Sequence, residues 1–305
     1  ENELVRLAVN ASFEKQNICS LEARICPDIR SDKLARKINN KIECIKDENI
    51  KEKLFFVLHF PKQKDVDINE GEPRNSRLRK RMEKYTNAIV ALLEKEGEVN
   101  RYIRGIDACA NEIGCRPEVF AQYYRYLLDY SYKEEDGSSH NLMATYHVGE
   151  DFFDIVDGLR AIDEVMLFCG IYSGCRLGHA LALGINTENY YKYKGDVLVM
   201  PGQDLLDNLA WILVKQCQYG CLVDDALKFV LEHKFNELFN EIYYRKELEY
   251  GSVTYLEYYN CWKLRGDCPD NYCLDEKEFS RRLELEPVRK LQRYEFNSAV
   301  SDTLR

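Results

Sequence analysis

Between residues 142 and 184 the chain uses one layout twice, L-M-A-T-Y-H-V-G-E-D (142–151) and then C-R-L-G-H-A-L-A-L-G (175–184). In each, a short apolar run ends on a polar group able to do chemistry. Residues 142–146 suit a buried strand that delivers His147 and Glu150 at its C-terminal end, where parallel α/β folds gather their active sites. A second short strand or turn through Leu177 delivers His179 to the same rim. The intervening D-I-V-D-G-L-R-A-I-D-E-V-M-L-F (154–168) has the spacing of an amphipathic helix.

The same alternation runs upstream. Residues 3–14 read as a helix, and I-C-S-L-E-A-R-I-C-P (18–27) alternates like a strand stopped by Pro27. Ser31 is expected to cap a helix to about residue 40. The continuous apolar run L-F-F-V-L-H-F (54–60) suits a central parallel strand, with His59 a core or substrate-facing histidine rather than a ligand. A charged loop over 62–81 precedes a helix over 78–95, and Y-I-R-G-I-D-A (102–108) reads as the next strand. Residues 116–132 predict a tyrosine-rich helix with Pro117 in its first turn, followed by a loop over 133–141. Four alternations of strand and helix argue for right-handed βα units on a parallel sheet. Past Gly184 the pattern changes. Residues 196–200 are expected to add one strand, and helices are expected over 205–216, 222–244 and 253–264. The expected division is therefore a β/α part over 1–200 and an α-helical insertion or cap over 201–305.

A net charge of −9 argues against a general binder of nucleic acid or lipid surfaces, because phosphate affinity needs clustered Lys and Arg. No run approaches the ~20 apolar residues that span a bilayer and no signal peptide is visible, so a cytoplasmic location is the default expectation. The 12 cysteines form no C-x-x-C pair and read as reduced thiols. Cys261, Cys268 and Cys273 cluster, but their irregular spacing without a neighbouring histidine is weak ground for a metal site. The first residue is Glu1 and the chain enters mid-pattern, which suggests a piece of a longer polypeptide.

The chemistry of the central stretch follows from its residue types. A neutral imidazole at His147 is a good ligand for zinc, which lowers the pKa of bound water to about 7. Glu150, beyond the flexible Gly149, can protonate a ring nitrogen of a bound heterocycle, and His179 can hold or deprotonate an attacking water. The structural alternative is a pair of strand-end histidines satisfied by hydrogen bonds.

H-V-G-E-D followed by R-L-G-H resembles the H-x-G-E and R-(I/L)-G-H motifs of the adenosine and AMP deaminase family, which follow strands five and six of its barrel. Within that family the spelling H-V-G-E-D-F-x-D-(I/L)-V-D-G-L-R-A-I-D-E is most similar to the deaminase subunit of bacterial RADAR antiviral systems. The segment 18–27 resembles the family's second strand, placing Glu22 and Arg24 in the barrel interior or floor, read here as a buried ion pair. G-I-D-A-C-A-N-E (105–112) resembles its fourth strand, with Ala110 where the family has glycine. The resemblance implies an α/β fold, a partial (β/α)8 TIM-type barrel of about strands two to six. It implies Zn2+ with His147 as a ligand, and Glu150 and His179 as catalytic residues. Asp107, Ala110, Glu112 and Gly149 are implied as substrate-binding positions. The implied substrate is adenosine, an adenine nucleotide or an adenosine in RNA, with a homo-oligomer, a partner ATPase and no membrane.

The family also takes zinc ligands from an H-x-H pair on its first strand and an aspartate on its eighth, and neither motif is here. The histidines are His59, His140, His147, His179 and His233, and no two are spaced H-x-H. Asp224 and Asp225 sit in a helical pattern without the family's S-x-N-x-D-D-P context, so the role of its paired aspartates is not carried to them. Two expectations follow: the middle of a zinc-dependent aminohydrolase, inactive as an isolated chain, or a non-catalytic scaffold derived from such a barrel.

Overall fold

A computed structural model describes residues 2–14, 18–64, 74–95, 97–134, 136–221, 224–243 and 253–267. In chain order the elements are α1 (Asn2–Glu14), β1 (Leu21–Ile25), α2 (Ser31–Glu43), α3 (Glu48–Lys51), β2 (Leu54–Pro61) and α4 (Ser76–Leu93). Next come β3 (Ile103–Cys109), α5 (Ala121–Asp129), the short strands β4 (Ser131–Lys133) and β5 (Ser139–Asn141), β6 (Met143–Val148), α6 (Ile155–Cys169) and β7 (Arg176–His179). The remainder is helical: α7 (Thr187–Tyr193), α8 (Gly202–Gln218), α9 (Asp225–Tyr243) and α10 (Tyr255–Trp262), with short 3-10 turns between elements. The chain divides into two compact units. One comprises Glu1–Cys115, Tyr123–His147 and Gly170–Gly178, the other Arg116–Gln122, Val148–Cys169 and His179–Arg305.

The first unit is built on a five-stranded sheet in the order β1-β2-β3-β6-β7, parallel and curled into a half barrel. Inside the sheet, between β1 and β3, lies β2, whose Leu54, Phe56, Val57, Leu58 and Phe60 are all buried, as expected of a strand covered on both faces. Register decides which side chains meet. Arg24 is opposite Val57, His59 opposite Asp107, and Asp107 opposite Thr145. Successive side chains alternate faces, so Arg24, His59, Asp107 and His147 all lie on one face of the sheet. Close approach of the strands is marked by Gly105, where an added Cβ would stand 2.4 Å from the Met143 carbonyl oxygen.

The second unit holds a helical core in which Leu206, Leu209, Ala210 and Leu213 of α8 pack with Phe235 and Leu238 of α9 and Tyr258 of α10. A charged layer lies beside that core. Arg160 on α6 is fully buried, its guanidinium donating to Glu164 (2.6 Å), Asp157 (2.9 Å) and the Asn208 side-chain oxygen (2.8 Å). Arg116 joins Asp157 and Glu164, while Arg265 and the Tyr258 hydroxyl both donate to Asp207. Three guanidinium groups thus face three buried carboxylates, which offsets the desolvation each charge would suffer alone. Burial would raise the Asp207 carboxyl, but Arg265 and Arg160 outweigh it and hold the group well below the usual carboxylate range.

Several expectations are corrected. Ser31 is the first helical residue rather than the cap; Arg30 stands at that position without a side-chain cap bond. The helix expected over 116–132 is a 3-10 turn followed by α5, and the loop expected over 133–141 is mostly the antiparallel ribbon β4–β5. Tyr132 explains the change: its ring is buried and its hydroxyl donates to the Ile103 carbonyl at 2.8 Å, a long-range bond that a continuing helix would forgo. Residues 196–200 form no strand. They follow left-handed Gly195 and Asp196, and Val197 and Val199 stay exposed without a neighbouring ladder to pair with. The three C-terminal helices lie where expected, and α7 is additional. Cys268 and Cys273 lie outside the described residues.

Candidate active site

Asp107 is the hub of the first unit. Its side chain has no exposed surface, and both of its oxygens accept hydrogen bonds. Oδ1 takes the His147 Nδ1 proton at 2.9 Å, and Oδ2 takes Arg24 Nε at 2.7 Å and His59 Nδ1 at 3.2 Å. Burial alone would raise the Asp107 carboxyl, but the bonds from His59, Arg24 and His147 outweigh it and hold the group below its ordinary value. The charge stays, and it acts on its surroundings: burial together with the Asp107 charge pushes the Cys109 thiol up to about 12.

An ionised carboxylate can only accept, so each imidazole that bonds Asp107 carries its proton on Nδ1. His147 is held at two further points. The Lys62 ammonium donates to its backbone carbonyl, and Gly178 lies so close that an added Cβ would stand 3.2 Å from the His147 Cγ. The ring is therefore oriented and one-fifth exposed. That is the state a metal-binding histidine takes when a carboxylate holds its other nitrogen.

In the second unit Glu150 and His179 meet, Oε2 to Nε2, at 3.1 Å. Three left-handed residues bring them round: Gly149 at φ 71°, His179 at φ 60° and Ala180 at φ 49°. Only glycine adopts that region without strain. The turn is tied by the Ala180 N–H to Val148 O and the Ala182 N–H to Gly149 O, both at 3.0 Å. A carboxylate and an imidazole at hydrogen-bonding distance can pass a proton between them.

The remaining sequence candidates follow β3. Ala110 is exposed and holds φ 70°, the conformation glycine favours, at the very position where the resembled motif has glycine. Glu112 is largely buried. Three participants were not assigned these roles from sequence. Sequence alone reads His59 as a core or substrate-facing residue, Lys62 as part of a solvated loop and Arg24 as the partner of Glu22. The expected Glu22–Arg24 ion pair is present at 3.7 Å but half-buried rather than buried, and Glu22 also binds Arg176 at 2.6 Å. Only the strand register reveals the grouping.

His147 Nε2 suits one coordination position, with Asp107 as its supporting carboxylate. Among the described residues no three His, Cys, Asp or Glu side chains are grouped to hold a metal, so this donor fits a zinc shell only as one ligand of several. No helix among the described residues is long and apolar enough to cross a membrane. No protein-family model and no curated protein matches the chain.

Proposed function

We propose that this chain carries part of the machinery of a zinc-dependent aminohydrolase that converts an adenine group to hypoxanthine with release of ammonia. The observation that carries this reading is the oriented His147, its Nδ1 bonded to a buried carboxylate, within the H-V-G-E and R-L-G-H spellings. When bound, zinc would supply a water acidified to a pKa of about 7. His147 presents Nε2 as one ligand, and Asp107 fixes that ring. Glu150 gives a proton to N1 of the purine, which makes C6 electrophilic. His179 takes a proton from the attacking water, and the pair returns protons to the departing amine, so water is consumed and ammonia leaves. The spelling of the motif further supports antiviral defence as the setting, a homo-oligomer as the assembly and an ATPase as a partner.

The test is ammonia release from adenosine, adenine nucleotides and an adenosine-containing RNA, using the complete gene product. Turnover of at least one substrate is expected, reduced by about 100-fold or more in Glu150→Gln. A second reading, a non-catalytic scaffold, is favoured by the lack of any H-x-H pair among the five histidines. It predicts no turnover, and no effect of Glu150→Gln on assembly.

A further inference from the structure

We infer that the recess between α1 and α2 is an anion site, and that it takes the polyphosphate group of a soluble phosphorylated compound. The site lies wholly within the first unit and plays no part in the proposed deamination.

The recess holds about 390 Å³ and is lined by Lys33, Arg36, Lys37 and Lys41 with Asn2 and Asn40. Every lining side chain is thus a cation or an amide, and no carboxylate is among them. A set of N–H donors under net positive charge is what an oxyanion needs, and the volume falls in the range of about 300–1,000 Å³ that small-ligand sites occupy. The helix period brings the cations together. Leu34, Ile38 and Ile42 form the buried stripe of α2, which leaves positions 33, 37 and 41 stacked one turn apart on another side, with 36 and 40 in the adjoining row. From Lys33 to Lys41 the helix rises about 12 Å, a span suited to a chain of phosphates rather than to a single one.

The chain does not neutralise this charge itself. Residues 30–41 carry five Lys and Arg side chains and one acid, Asp32, in a protein whose net charge is −9. That single carboxylate is shared by two guanidinium groups, accepting from Arg30 at 2.8 Å and from Arg36 at 3.0 Å. Lys33 has no carboxylate partner among the described residues. Lys37 Nζ donates to the Cys26 carbonyl at 2.8 Å, an acceptor that positions the half-buried lysine without cancelling its charge. Like charges one turn apart on a helix repel, and an anion lying among them turns that repulsion into attraction.

Isothermal titration calorimetry of the full chain with inorganic tripolyphosphate, at about 50 mM salt, tests the site. Saturable binding is expected, at least about tenfold tighter than that of orthophosphate and at least about tenfold weaker in Lys33→Gln/Lys37→Gln. Lys33→Gln alone, at an exposed position, should weaken it by about threefold and serves if the double variant does not fold. Lys228→Gln/Lys234→Gln on α9 should leave binding unchanged. The inference is overturned by an absence of saturable binding, by undiminished binding in the folded α2 variants, or by an equal loss in the α9 variant, which would mark diffuse attraction to charge. Tighter binding of phosphoinositide vesicles or of a single-stranded oligonucleotide through the same lysines would overturn it too, by assigning the site to a lipid surface or a nucleic acid.

Discussion

At the scale of single residues, Asp107 is buried and yet ionised because three donors surround it, and this makes its contribution depend on pH in a definite direction. Its folded value lies below the ordinary 3.8, so the stabilisation is fully present above that value and is lost as pH falls through the folded one. Asp107→Asn should cost about 3 kcal/mol near neutral pH, since Arg24 and two imidazoles lose their charged partner. Urea midpoints of the two proteins should stay apart down to about pH 4 and converge only below it; a gap that stays constant below about pH 4 would contradict the account. Ala110 offers the opposite experiment. A side chain at φ 70° is strained by about 1–2 kcal/mol, and the entropy glycine adds to the unfolded chain offsets part of the relief. Ala110→Gly is therefore expected to be neutral or stabilising by up to about 1 kcal/mol in chemical denaturation, with a clear loss of stability as the contrary result.

At the scale of elements, the strands and the long helices were legible in the sequence because burial on both faces leaves continuous apolar runs and burial on one face leaves a helical period. The run 54–60 became β2, and 154–168 became α6 within a residue at each end. What was not legible depends on partners remote in sequence. The β4–β5 ribbon replaces the end of an expected helix and the loop expected after it because Tyr132 finds Ile103, and the valines near 197 remain unpaired because no strand adjoins them. Of the site, His147, Glu150 and His179 could be read from their spelling, whereas the joining of Arg24, His59 and Asp107 required the register of four strands. The buried charges on α6 were equally hidden, since Arg160, Asp157 and Glu164 read as the polar side of an amphipathic helix. Arg160→Met should destabilise the protein by about 3–5 kcal/mol, because the buried carboxyl groups of Asp157, Glu164 and Asp207 would lose one of their guanidinium partners. Thermal unfolding checks this, and a loss under about 1 kcal/mol would show that the layer tolerates an apolar replacement.

At the scale of the whole molecule, the two units carry different parts of the proposed chemistry: an oriented histidine on the parallel sheet, and an acid–base pair in the helical unit. Neither supplies three metal donors among the described residues, so the proposal requires the rest of the zinc shell to come from other segments or another copy. The most direct measurement is the zinc content of the dialysed complete gene product, by elemental analysis, for the unsubstituted protein and for His147→Ala. The account predicts about one zinc per chain in the first and a large loss in the second. No zinc in either, or zinc unchanged by His147→Ala, would contradict it.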